Sequence, residues 1–346
     1  MGLFLLLPLV QDALASHSGA RVVSGAYTGD GTAGRAITGV GFTPNFLIIK
    51  GNLGQSAIAR SITMVGDSSK ELGSNVQVRT NLITSLDADG FTVGTDVRVN
   101  GTSTVYYWTA FDVAPGEMKA DFYIGDGTDD RSITGVGFQP DYVIVMSEGG
   151  DYAQQRFALE NPGYSLEFKN TAERLDRIQA FEPDGFQVGT ENSVNRPGTV
   201  IHYVAWKASE DAMAIKSFVG DETDNRDIEG FGFAPEFVLL KSSNTQSAFM
   251  RANSLTGDQS FRVDGGTTVA DGIQALLPDG FQVGTSKPVN GALDTIYCAV
   301  FRGPDKVDMA VAKSANTTSA ALGDTIAYKI AVTNNGLSSA LLEFPG

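Results

Sequence analysis

Three copies of one pattern fill most of this chain, and a pattern that returns at a fixed step dictates one supersecondary unit built repeatedly. Tyr27-Thr28-Gly29-Asp30-Gly31-Thr32 returns as Tyr123-Ile124-Gly125-Asp126-Gly127-Thr128 and as Phe218-Val219-Gly220-Asp221-Glu222-Thr223. Arg35, Arg131 and Arg226 follow the aspartates at constant spacing, and Arg60, Arg156 and Arg251 follow further on. Asp89-Gly90-Phe91, Asp184-Gly185-Phe186 and Asp279-Gly280-Phe281 come late in each copy, before Asn100, Asn195 and Asn290. The step is 95 or 96 residues at every landmark.

Inside a copy the signal is strand. Apolar runs at Phe46–Ile49, Tyr142–Val145 and Phe237–Leu240 are short, rich in β-branched and aromatic residues and flanked by turn residues. Asp-Gly before an apolar residue is hairpin chemistry, because glycine supplies the backbone angles of tight turns. The closing strands, Tyr106–Phe111, Ile201–Trp206 and Ile296–Phe301, are apolar on both alternating faces and are expected to be central. The fold expected is all-β: three tandem antiparallel β-sandwich repeats of about 95 residues. The boundaries read as 1–19, a signal-like or donor segment; 20–113, 114–209 and 210–304, the repeats; and 305–346, a partial C-terminal module. The joints 112–117 and 207–211 are short, which predicts a stiff stack or a pseudo-threefold cluster.

Charge removes whole classes of function. Lys plus Arg is 25 against 40 Asp plus Glu, a net charge of −15. Such a field repels phosphate backbones, so no nucleic-acid partner is expected. One cysteine, Cys298, excludes an intrachain disulfide framework, and two histidines, His17 and His202, leave little for zinc or histidine chemistry. No Gly-x-Ser-x-Gly occurs, a catalytic carboxylate pair would stand in one copy only, and most acids here recur at turn positions; no enzyme is expected.

The acids of the repeated turns, Asp126, Asp129, Asp130, Asp221 and Asp224, read either as Asx turns or as oxygen ligands for calcium, the one cofactor the sequence suggests. The register-conserved Arg35, Arg131, Arg226, Arg60, Arg156 and Arg251, with Asn100, Asn195 and Asn290, read as structural, each arginine forking onto a repeat aspartate to pin a loop. His202 aligns with Tyr107 and Tyr297, and Cys298 with Trp108 and Tyr203, so both are expected to be packing residues.

Two stretches point to assembly. Met1–Val10 is apolar and precedes Ala13-Leu14-Ala15, the shape of a secretory signal, yet far too short to span a bilayer. Near the other end, Asp308–Lys313 and Gly323–Gly336 alternate as two strands. Their pattern, D-x-x-V-x-K and then G-D-T-x-x-Y-x-I-x-V-x-N-x-G, resembles the opening of the immunoglobulin-like repeat of large bacterial and archaeal surface proteins. The three copies, through G-D-G-x-x-x-R, G-x-G-F-x-P and D-G-F-x-V-G-[TS], are similar to a β-sandwich repeat of phage tail-associated and bacterial surface proteins. These resemblances imply architecture and a secreted, extracellular or cell-surface setting. The function expected is a structural subunit of an extracellular filament or surface layer, a homopolymer joined by strand donation. Leu3, Phe4, Leu5, Leu6, Leu7 and Val10 would supply the donor, and Ile326, Tyr328, Ile330 and Val332 the acceptor edge. The alternative is a glycan-binding adhesin or tail-fibre module.

Overall fold

In the computed structural model the described residues are 21–210 and 212–304, with 309–315, 321, 325 and 327–334. The donor residues Leu3–Val10, and Ile326 of the acceptor edge, lie outside them. The fold is all-β and sandwich-like, with sheets that are antiparallel throughout. Ser18–Gly303 is one compact unit; the strands Met309–Ala315 and Tyr328–Asn334 belong to another.

The first repeat sets the plan. Its strands are β1 (Val22–Thr28), β2 (Arg35–Thr38), β3 (Phe46–Gly51), β4 (Ile58–Ser61), β5 (Lys70–Glu71), β6 (Ile83–Asp87), β7 (Gly90–Val93) and, after a single helical turn α1 (Val97–Asn100), β8 (Val105–Phe111). One sheet runs β1-β8-β3-β4-β5 and a smaller one β2-β7-β6. The second repeat builds the same pair, with Val200–Trp206 between Met118–Ile124 and Tyr142–Ser147. The third adds a short strand, Thr268–Val269, at the far edge of its large sheet. The closing strand is interior in all three, as its two apolar faces require.

Strand periodicity explains why β3 is apolar without a break. Successive side chains point to opposite faces. Leu47 and Ile49 pack toward the small sheet in a core private to the first repeat, whereas Phe46 and Ile48 pack on the other side. Val143 and Val145 separate from Tyr142 and Ile144 in the same way, and Val238 and Leu240 from Phe237 and Leu239. The second set from all three repeats forms one shared core. Its centre is six rings, Phe46, Phe111, Tyr142, Trp206, Phe237 and Phe301, with neighbouring centroids 5.1 to 6.4 Å apart and mostly edge to face. Each large sheet is therefore covered on both faces.

The repeats close on one another in a ring. Ala57 N–H donates to Val263 O at 2.8 Å, joining the first repeat to the third, and Ala248 N–H donates to Phe168 O at 2.9 Å, joining the third to the second. Val78 N–H donates to Glu148 O at 3.3 Å, joining the first to the second. One buried lysine crosses each joint: Lys50 to Gly266 O at 2.8 Å, Lys241 to Thr171 O at 2.7 Å and Lys70 to Gly149 O at 2.9 Å. Burial pulls these ammonium groups down, Lys241 to about 7 and the other two to about 8. Each ammonium donates its hydrogen bonds to backbone carbonyls, so the ion needs no carboxylate at hydrogen-bonding distance.

Candidate functional site

The repeated aspartates, arginines and asparagines come together as one hydrogen-bonded knot per repeat. Asp30 Oδ1 accepts from the N–H and hydroxyl of Thr32, both at 2.8 Å. Asn100 Oδ1 accepts from Asp30 N–H at 3.0 Å, and its amide donates to Thr32 O at 2.8 Å. Arg35 lies 3.4 Å from Asp30 Oδ2 and donates to Thr28 O. Asp126, Arg131 and Asn195 repeat this set, as do Asp221, Arg226 and Asn290. Hydrogen bonds from Thr32, Thr128 and Thr223 hold the three carboxyls below the usual range. In the third repeat Glu222 stands where Gly31 and Gly127 stand and takes φ of 59°, close to their 75° and 74°, so the turn survives the substitution.

Two of the acids considered for calcium accept hydrogen bonds within their own repeat. Asp129 Oδ1 accepts from Asp130 N–H and from Gln179, and Asp224 Oδ1 accepts from Asn225 N–H and from Gln274. Asp130 takes a positive φ of 53° as a turn residue. Among the described residues no three His, Cys, Asp or Glu side chains gather at metal-binding distance.

Arg60 and Arg251 pin loops through carbonyls instead of the expected aspartate. Arg60 donates to Ser68 O, Ile83 O, Met64 O and Gly66 O, and Arg251 to Gln259 O, Ile273 O, Leu255 O and Gly257 O. A planar guanidinium with five donors suits such a fan of acceptors. Arg156 makes only two such bonds, to Ile178 O at 3.4 Å and Asn161 O at 3.3 Å.

Asp89 does more than turn its own hairpin. Its carboxylate accepts from Gly39 N–H and Gly41 N–H at 3.1 and 2.6 Å, and Asp184 and Asp279 clamp the matching loops. The adjoining Gly90 has φ of 146°, and a Cβ there would stand 2.0 Å from Ile37 O. The repeat requires glycine at that point.

His202 is buried, and so is Cys298, whose thiol is pushed up to about 12 by burial. His202 Nδ1 lies 2.8 Å from Thr63 Oγ1 of the first repeat, and Nε2 lies 3.1 Å from Glu148 Oε1. Its counterparts also cross joints, Tyr107 against Phe261 and Tyr297 donating to Glu173 at 2.9 Å. The packing slot expected for His202 is thus an inter-repeat contact, which no single-copy pattern reveals.

The C-terminal strands pair antiparallel from Met309↔Asn334 to Ala315↔Tyr328, with Val311 opposite Val332 and Lys313 opposite Ile330. Among the described residues they form a two-stranded sheet, on which Tyr328 is 56% and Ile330 58% exposed, while Val332 is half-buried. No helix among the described residues is long and apolar enough to cross a membrane.

No protein-family model matches the chain, and a search of curated proteins finds no match.

Proposed function

We propose that the protein is a structural subunit of an extracellular assembly, in which the C-terminal strand pair of one copy takes up a strand from the next. Ile330 carries the reading: an aliphatic side chain 58% exposed on a strand of a two-stranded sheet. Two-stranded sheets are marginal in water, and an added strand both pairs their outer backbone groups and covers their apolar side chains. The occupant is the Leu3–Val10 segment of a neighbouring copy, eight residues of which seven are leucine, phenylalanine or valine. Donor and acceptor differ, so the contact is heterologous and propagates into a filament or closes as a ring.

The three-repeat body supports the same reading. Residues that recur in register are used up in the knots, carbonyl fans and clamps that make each repeat rigid, and the joints carry further bonds.

The experiment is a pair of cysteines, Leu5→Cys with Ile330→Cys. Cys298 is buried with a raised pKa and stays silent. Mild oxidation is expected to give a ladder of covalent oligomers from the double variant and at most dimers from either single one. A double variant that stays at the mass of one chain, at concentrations where the parent assembles, refutes the donor strand.

A further inference from the structure

The second repeat departs from the other two at three positions that meet in space. Glu160 stands where Met64 and Leu255 stand, Phe181 where Leu86 and Leu276 stand, and Pro162 where Gly66 and Gly257 stand. Met64 and Leu255 belong to the shared apolar core, yet Glu160 is only 5% exposed. The proline explains the loss of bonds at Arg156. Gly66 and Gly257 take φ of +62° and +71°, and their carbonyls accept from Arg60 and Arg251 at 2.6 and 2.9 Å. A proline ring fixes φ near −65°, so this turn is closed to the second repeat and its arginine keeps two long bonds where the others have four.

A cleft of about 290 Å³ opens there, lined among others by Asp141, Arg156, Glu160, Pro162, Gln179 and Phe181. Glu160 Oε1 is fixed by Phe157 N–H at 2.9 Å, while Oε2 is buried with no hydrogen-bond partner. Gln179 Oε1 and Arg156 Nε share that condition. The Nε atoms of Arg60 and Arg251 do too, so the weight falls on Glu160 and on the missing guanidinium bonds. A buried polar group left unpaired is destabilising, and a ligand that pairs it recovers that loss.

Charge selects the ligand. A cation would sit beside the Arg156 guanidinium, and an anion would face Asp141. A neutral molecule with several hydroxyls meets neither penalty, since each hydroxyl both donates and accepts. Phe181 and Pro162 offer an apolar wall for a C–H face. The cleft is near the lower end of small-molecule sites, ~300–1,000 Å³, which suits one sugar ring.

We propose that this cleft binds a single uncharged pyranose residue of a glycan, with Glu160, Gln179 and Arg156 exchanging hydrogen bonds with its hydroxyls and Phe181 under its ring. The site is confined to the second repeat and stands independently of assembly through the chain ends.

Saturation-transfer NMR on the full chain tests it, with the methyl glycosides of glucose, galactose, mannose and N-acetylglucosamine, and with glucuronate and ethanolamine as charged probes. At least one neutral glycoside is expected to bind, and binding is expected to fall at least tenfold in Glu160→Met and in Phe181→Leu. Both variants install residue types found at the same place in another repeat, and circular dichroism checks that each folds. Absence of binding by every neutral glycoside, binding by a charged probe alone, or equal binding by either folded variant overturns the proposal.

Discussion

Phe111 of the first repeat and Phe301 of the third meet edge to face with centroids 5.1 Å apart, at equivalent places on their closing strands. Trp206 is the third member and lies 5.6 Å from Phe111 and 5.5 Å from Phe301. Because the ring cluster belongs to no single repeat, damage to it is felt by all three. Trp206→Ala is expected to cost about 3–5 kcal/mol, and calorimetry is expected to show one transition for the body, moved as a whole. Two transitions, one unmoved, would mean that the repeats fold separately.

Lys241 donates to Thr171 O, Asn244 O and Gln246 O. The second repeat has Met146 at the same position, so methionine fits the strand sterically. Lys241→Met nevertheless strips three carbonyls of their donor and is expected to destabilise by about 1–3 kcal/mol. Hydrogen exchange should rise at the joint between the second and third repeats, around Phe168 and Ala248. Unchanged protection there would contradict the role given to the buried ammonium.

His202 should make the joint between the first and second repeats sensitive to acid. Burial lowers its pKa from the ordinary 6.5, with Glu148 opposing. A depressed folded-state pKa means that the unfolded chain binds the proton more readily, so stability is full above about 6.5 and is lost as pH falls through the folded value. The slope is at most about 1.4 kcal/mol per pH unit. His202→Tyr, which installs the residue of the other two repeats, is expected to flatten this limb of a plot of Tm against pH. An unchanged limb would assign the acid sensitivity elsewhere.

Glu160 acts in the opposite direction. Burial holds its carboxyl well above the usual carboxylate range. The folded state then binds the proton more tightly, and stability falls as pH rises from about 4.3 through the folded value. Glu160→Met is expected to remove that decline and to raise stability at neutral pH by about 1–3 kcal/mol. A variant that melts lower than the parent at pH 7 would show that the carboxyl has a partner in the fold.

The repeats were legible in the sequence because each carries its own turn chemistry: Asp-Gly-Phe marks a hairpin, and the Asp-x-Thr with its Arg and Asn marks a knot. The alternation in β3 was visible as an apolar run, and its meaning, two cores served by one strand, followed only from the pairing of sheets. The joints were not legible. Lys50, Lys70 and Lys241 look like surface cations in a linear reading, and nothing in the spacing of His202 and Thr63 reveals that they touch across 139 positions. Arg60 and Arg251 were expected to meet a carboxylate, whereas loop carbonyls already surround them. Glu160 is invisible to a pattern built on what recurs, since it stands in the single copy that differs from Met64 and Leu255 at the matching places.

Electron microscopy of the purified full chain, beside a variant lacking residues 2–15 and the variant Ile330→Lys, addresses assembly most directly. The account predicts filaments or closed rings from the parent, and dispersed single copies from both variants with the body's melting transition intact. Parent protein that stays as single copies at high concentration, or assemblies that persist unchanged in both variants, would contradict it.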